Sequence, residues 1–230
     1  MTNAPKDKPH HLGHRDRVRQ RFIKAGAEGL ADYELLEVIL FSAIPRRDVK
    51  PLAKELIATF GTLGKVITAS VSELEQVKGI STNTAVLIKT IQAAALHMLG
   101  ENMAERPVLS SWQALLDYLH LAMAYEKNEQ FRILFLNRRN ELLLDEVQQR
   151  GTVDHAPVYP REIVKKSLEV GATAIILVHN HPTGDPEPSD ADIRMTKDII
   201  RALAPLDITV HDHLIVGKGG TSSFKSQGLI

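Results

Sequence analysis

Hydrophobic positions follow two different rhythms along the chain. From residue 14 to about 99 they recur every three to four residues, the spacing of one helix face. Leu35, Leu36, Ile39 and Leu40 repeat in this way after Asp32, which predicts a helix with Asp32 as its N-cap. Residues 49–60 predict a second amphipathic helix, ended by Gly61. Ser70 or Ser72 predicts the cap of a third, and residues 84–99 a fourth. No sustained strand alternation occurs before residue 100.

Beyond residue 100 the pattern changes. Residues 100–107 are polar and predict a linker. Ser110 or Ser111 precedes a helix through Leu121. Residues 131–136 predict a strand, 137–140 a turn and 141–148 a returning strand, together a hairpin. Pro160 opens a helix to about Val170 with Gly171 as C-cap. The apolar run 172–178 predicts a buried strand, 189–204 a helix and 208–216 a last strand. Interleaved helices and strands predict an α/β or α+β domain. The predicted organisation is a flexible arm over 1–13, an all-α domain over 14–99, the linker, and a mixed domain over 108–230.

Composition adds exclusions. With 43% hydrophobic and 24% charged residues, the 230-residue chain has an ordinary globular make-up. Lys+Arg and Asp+Glu are both 28, so net charge points to no acidic partner. Residues 1–24 are locally basic, with Lys6, Lys8, Arg15, Arg17, Arg19, Arg21 and Lys24 against Asp7 and Asp16. Such a stretch reads either as a phosphate-contacting arm or as a solvated helix face. No cysteine is present, which excludes disulfides, thiol nucleophiles and cysteine-bound zinc. No signal-peptide core and no run of about 20 apolar residues occurs, so a soluble cytoplasmic protein with no membrane contact is expected.

Candidate chemistry concentrates after the predicted buried strand. His179-Asn180-His181-Pro182 places two imidazoles at positions i and i+2, which share one side of an extended chain. Pro182 holds His181 extended and ends the strand. Gly184, Pro186 and Pro188 turn the chain, and Ser189 and Asp192 then share the first turn of a helix. Alone, Ser189-x-x-Asp192 reads most simply as a capping box. Together with the histidines, Asp192 completes a three-ligand set whose fourth position stays open, the arrangement of a catalytic zinc site.

These residues resemble a known family. His179-x-His181-Pro182-x6-Ser189-x-x-Asp192 is similar to the JAMM (MPN+) metalloprotease motif, and the chain more closely resembles the bacterial RadC-like (UPF0758) proteins. That resemblance includes Gly151-Thr152-Val153-Asp154, Tyr159-Pro160-Arg161-Glu162, Asp212-His213-Leu214-Ile215-Val216-Gly217, Gly13-His14-Arg15 and Asp32-x-Glu34-Leu35-Leu36-Glu37. It implies a C-terminal JAMM/MPN domain with a cytidine-deaminase-like mixed sheet. It also implies a zinc-dependent metallopeptidase acting on a peptide or isopeptide-linked protein. One zinc ion per chain would be held by His179, His181 and Asp192, with Ser189 donating to the tetrahedral oxyanion. The motif further implies a glutamate on an earlier strand as general acid/base. Glu141, Glu146 and Glu162 precede the motif, and Glu146 is preferred because it shares parity with Leu142 and Leu144; Asp145 adjoins it.

Asp212 shares parity with Ile208, Val210 and Leu214, so it reads either as a carboxylate orienting a ligand histidine or as a satisfied core residue. His211 and His213 fall on the opposite face and read as bystanders, and His10, His11 and His14 as solvated. Residues 74–85 resemble a helix-hairpin-helix turn, which in that motif binds a DNA phosphate through a Gly-apolar-Gly hairpin. Here Ser81 stands in place of the second glycine. Leu74, Val77, Ile80, Ala85 and Ile88 equally suit an ordinary packed helical hairpin. An alternative function follows, in which the helical half contacts DNA through Arg15, Arg17, Arg19, Lys78 and Gly79, as the family's historical repair label implies.

Overall fold

The computed structural model describes residues 13–104, 107–150 and 159–230, apart from the side chains of 102–104, 149 and 150. Residues 1–12 of the arm expected over 1–13, and the Gly151-Thr152-Val153-Asp154 motif, lie outside the described residues. The chain forms two compact units, Met1–Ala94 and Ala95–Ile230.

The first unit is helical: α1 (His14–Ala25), α2 (Asp32–Ala43), α3 (Lys50–Phe60), α4 (Leu63–Thr68), α5 (Val71–Glu75) and the first part of α6 (Thr82–Ala104). Its core gathers Leu36 and Leu40 from α2, Leu52, Ala53 and Leu56 from α3, Val66 from α4 and Ile88 from α6. Each set repeats at one-, three- or four-residue steps, so one stripe per helix leaves water. Asp32 is the first residue of α2 rather than its cap; Ala31 takes that place, and its N–H donates to the Glu34 carboxylate at 3.2 Å. Ser70 caps α5 in a reciprocal pair with Glu73. α6 starts at Thr82 and runs on to Ala104, so the first part of the polar stretch expected as a linker is helix.

The second unit packs helices on both faces of a mixed five-stranded sheet. Its strands are β1 (Gln130–Leu136), β2 (Leu142–Arg150), β3 (Ala174–Asn180), β4 (Thr209–Gly217) and β5 (Gly220–Ser223), in the order β2-β1-β3-β4-β5. β3 and β4 are parallel and the other neighbours antiparallel. On one face α7 (Trp112–Met123) buries Leu115, Leu119 and Met123 against Leu134, Leu136, Ile176, Val178, Leu214 and Val216. On the other, α8 (Pro160–Val170) and α9 (Asp190–Leu203) bury Ile163, Ile199 and Leu203 against Ile133, Phe135, Ile175 and Leu177. Both faces of β3 are covered, which explains an unbroken apolar run rather than alternation. The short β5 was not expected from the sequence, because four residues of Gly, Thr and Ser carry no apolar period.

Candidate metal centre

β3 and α9 bring the cluster together. Residues 175, 177 and 179 of β3 face α8 and α9, so His179 continues the apolar row of Ile175 and Leu177. One face of α9 carries Asp192, Thr196, Ile199 and Leu203 at steps of three and four, the last three fully buried. Burying that face brings Asp192, in the first turn, to the end of β3. Ligand atoms of His179, His181 and Asp192 all lie within 4.8 Å of one another. The two Nε2 atoms are 3.0 Å apart. Asp192 Oδ1 is 3.6 Å from His179 Nε2, and Oδ2 is 3.8 Å from His181 Nε2. His179 is 1% exposed, whereas the side chains of His181 and Asp192 are 20% and 14% exposed, so the cluster has a closed floor and an accessible rim.

The connection between β3 and α9 fixes His181. Its Nδ1–H donates to the Asp185 carbonyl at 2.7 Å. A carbonyl only accepts, so Nδ1 carries a proton and Nε2 is the atom turned to the cluster. Gly184, at φ +95°, provides the reversal that presents this carbonyl. Gly217 at the end of β4 lets the same loop lie flush: a Cβ there would come within 2.9 Å of the Gly184 carbonyl carbon.

Ser189 is the N-cap of α9, as the capping-box reading expects: its Oγ accepts from Asp192 N–H at 3.2 Å, and its own N–H donates to Asp192 Oδ2 at 2.9 Å. Its hydroxyl also donates to Oδ2, at 2.5 Å. That proton is committed to Asp192, so Ser189 here holds a ligand carboxylate rather than offering a donor to an oxyanion. Burial alone would raise the Asp192 carboxyl, but His181, the charge of His179 and the Ser189 hydrogen bonds outweigh it and hold Asp192 well below the usual carboxylate range. Asp192 in turn raises His181, against burial, with help from the Asp185 carbonyl and the charge of Glu129.

Glu129 was missed by sequence reasoning, which considered only glutamates after the first strand. The antiparallel register pairs Phe131 with His179; two further steps bring position 129 opposite 181. Asn180, fully buried between the two histidines, clamps this segment. Its Oδ1 accepts from Gln130 N–H at 2.8 Å, and its Nδ2 donates to the carbonyls of Asn128 and Glu126 at 3.2 and 3.4 Å. The signal in the sequence was parity: Glu129 is in step with Phe131, Ile133 and Phe135, the row facing α8 and α9.

Glu146 is not brought to the cluster. It pairs with Ile133, which pairs with Leu177, so it lies two strands out and level with Leu177 rather than His179. Its carboxylate is 3.3 Å from Lys166 Nζ and accepts from Gln148 Nε2 at 2.8 Å. Glu146 shares the α8 and α9 face with Leu144, while a register shift opposite Phe135 and Leu136 turns Leu142 to the α7 face; what keeps Glu146 from the cluster is the place of β2, two strands from β3. Asp145 pairs with Arg132 and Tyr118 on the α7 face, Glu141 accepts from Asn137, and Glu162 pairs with Arg161.

Asp212 does not orient a ligand histidine. It accepts from Ser223 Oγ, from Lys225 N–H and from His213 N–H. A register shift opposite Ile175 and Ile176 reverses the parity of β4: Ile208 and Val210 pack on one face, Leu214 and Val216 on the other. The same shift turns the expected bystander His213 into the cluster's buried neighbour, with Nε2 2.8 Å from His179 Nδ1. His211 bonds Asn140 Oδ1.

In the helical unit, His14 is not solvated but sits 2.5 Å from the buried Glu37. Arg15 donates to the carbonyls of Phe41, Ile44 and Arg47, so its guanidinium closes the end of α2 and the following loop rather than facing a phosphate. Arg19 is 3.4 Å from Asp16 and lies over the Phe41 ring. Arg17, Lys78 and Gly79 are exposed. Gly79 has φ +101°, and a Cβ there would meet the Arg47 guanidinium at 2.6 Å. Leu74, Val77, Ile80, Ala85 and Ile88 all enter the core, as the packed-hairpin reading expects.

Comparison with known proteins agrees with this architecture. Residues 109–229 match the RadC-like JAB domain, and residues 10–86 match the UPF0758 N-terminal family. A UPF0758 protein of Rhodobacter capsulatus is 54% identical over 213 residues, spanning 93% of this chain and 100% of that protein. No helix among the described residues is long and apolar enough to cross a membrane.

Proposed function

Because the chain belongs to the RadC-like UPF0758 family and its JAB domain gathers two imidazoles and a carboxylate at one point, we propose that it is a zinc-dependent hydrolase of amide bonds, a JAMM-type metallopeptidase or isopeptidase. The observation that carries this reading is the convergence of His179, His181 and Asp192, whose ligand atoms all lie within 4.8 Å of one another. Two imidazole nitrogens and one carboxylate are a donor set that suits zinc. One ion per chain would be held by these three side chains. Zinc held there supplies Lewis acidity, polarising a substrate carbonyl and bringing the pKa of water to about 7.

The chain's own residues supply the rest. Glu129 takes the proton of the attacking water and delivers it to the leaving nitrogen. Its support is its register position opposite His181 and its electrostatic influence on that ring. Ser189 keeps Asp192 in place through Oδ2, and Asn180 keeps the Glu129 segment in place. A peptide, or a protein joined through an isopeptide bond, is the substrate class. The test is hydrolysis of a panel of peptide and isopeptide substrates by the zinc-loaded protein. Glu129→Gln is expected to keep one equivalent of zinc and lose turnover, and Glu146→Gln to keep both. Full turnover by Glu129→Gln overturns its role; stoichiometric zinc in both His179→Ala and Asp192→Ala overturns the site.

A further inference from the structure

We propose that the helical unit binds a phosphate group in the concavity between the first turns of α1 and the loop joining α2 to α3, with Arg46, Arg47 and Lys50 as its cationic contacts. The site lies within that unit and does not depend on the metal reading. The concavity measures about 590 Å³ and is lined by five cations, Arg15, Arg19, Arg46, Arg47 and Lys50, against two carboxylates, Asp16 and Asp48. The chain as a whole is neutral, so this excess is local.

Arg15 builds the wall rather than the contact. Its bonds to the carbonyls of Phe41, Ile44 and Arg47 hold the loop in place, and carbonyls leave its charge uncompensated. The loop so held carries Arg46 and Arg47, both exposed. Asp16 is 3.4 Å from Arg19 with both side chains well exposed, a pair that water screens. Asp48 Oδ1 accepts from the Lys50 N–H at 3.0 Å, at the first residue of α3. Among the described residues, no ion pair joins Arg46, Arg47 or the Lys50 amine to a carboxylate. The Arg47 guanidinium lies against Gly79, where a Cβ would meet it at 2.6 Å. That glycine therefore seats Arg47, a role separate from offering its own backbone to an anion.

Like charges on a concave wall raise the local potential and favour an anion. A carboxylate brings one charge and two oxygens, which a single guanidinium fork satisfies. Two forks and an ammonium suit a phosphate, with a charge of about −1.5 to −2 and three strong acceptor oxygens. The space falls in the range of small-molecule sites, roughly 300–1,000 Å³, so it also accommodates the body of a phosphate ester.

The test is calorimetric titration of the zinc-free full chain at low salt with adenosine 5′-monophosphate, inorganic phosphate, adenosine and acetate. Both phosphates are expected to bind at one site, and adenosine and acetate at least about 10-fold more weakly. Tighter binding of the ester would name an ester as the ligand, and equal binding the free ion; either supports the site. Arg46→Ala combined with Arg47→Ala is expected to weaken phosphate binding about 10- to 100-fold with an unchanged unfolding midpoint, and Lys50→Ala about 10-fold. Lys78→Ala, on the hairpin turn outside the concavity, is expected to bind as the wild type does. No phosphate binding at low salt overturns the proposal. So does acetate or adenosine binding as tightly as the phosphates, unchanged affinity in the double variant, or an equal loss in Lys78→Ala.

Discussion

In the helical unit, His14 Nε2 and Glu37 Oε2 lie 2.5 Å apart; in the cluster of the sheet unit, His179 Nε2 and His181 Nε2 stand 3.6 and 3.8 Å from the Asp192 carboxylate. The first pair is closed, the ring bonded directly to one oxygen of a fully buried carboxylate. The second is held open. Its three members are each tied from behind, by His213, by the Asp185 carbonyl and by Ser189, and their ligand atoms converge within 4.8 Å. Pairing of buried charge is what stability asks for. Two imidazoles and a carboxylate converging on one point are what a cation asks for, and the contrast sets a structural polar pair beside a candidate metal site within one chain.

The sharpest way to break the comparison is to open the closed pair. His14→Ala leaves the buried Glu37 carboxylate without its partner, and Glu37 Oε1 already lacks one. A loss of about 3 kcal/mol in denaturant unfolding is expected, with zinc content unchanged. Next, zinc at about 100 times its dissociation constant should stabilise the wild type by about 2.7 kcal/mol. His14→Ala should gain the same increment and Asp192→Ala none; a gain in Asp192→Ala would place the ion elsewhere. Arg15→Ala strips three carbonyls of their donor and should cost about 1–2 kcal/mol, again without touching zinc content. Nearly unchanged stability there would return Arg15 to the surface role its charge suggests.

The smallest effect concerns a third closed cluster, on the α7 face. Burial, then the charge and hydrogen bond of Asp145, push the Tyr118 phenol up to about 12 from 10.0. The neutral phenol is the form the fold favours, so its contribution is complete below pH 10 and disappears as pH rises through about 12. Tyr118→Phe should remove that part of the alkaline fall in stability, read by unfolding at pH 9 and pH 12.

Much of this was legible in the sequence because the rules involved are local. The strand–turn–helix order around His179, His181 and Asp192 follows from apolar runs, two prolines and a cap, and the structure places these elements within two residues of their expected bounds. What escaped was decided by pairing between strands. A register shift in β4 reverses an inward–outward alternation, so His213 took the place expected for Asp212, and the strand order sets β2, with Glu146, two strands from β3. A shift of register is a property of two strands at once, so neither sequence segment alone encodes it. Glu129 escaped for a simpler reason, standing one residue before β1 and two before its apolar run. The Arg15 reading failed because charge says where a side chain prefers to be, not which carbonyls wait nearby.

The bare backbone of Gly217 has a mechanical consequence. The connection after β3 leans on it, and that connection carries the one carbonyl that aims His181. A methyl group at this position, at the far end of another strand, would act as a wedge, tipping the loop without altering any ligand. Gly217→Ala is therefore a remote dial on the cluster: it trades the grip of one ring for looseness while composition at the cluster itself stays the same.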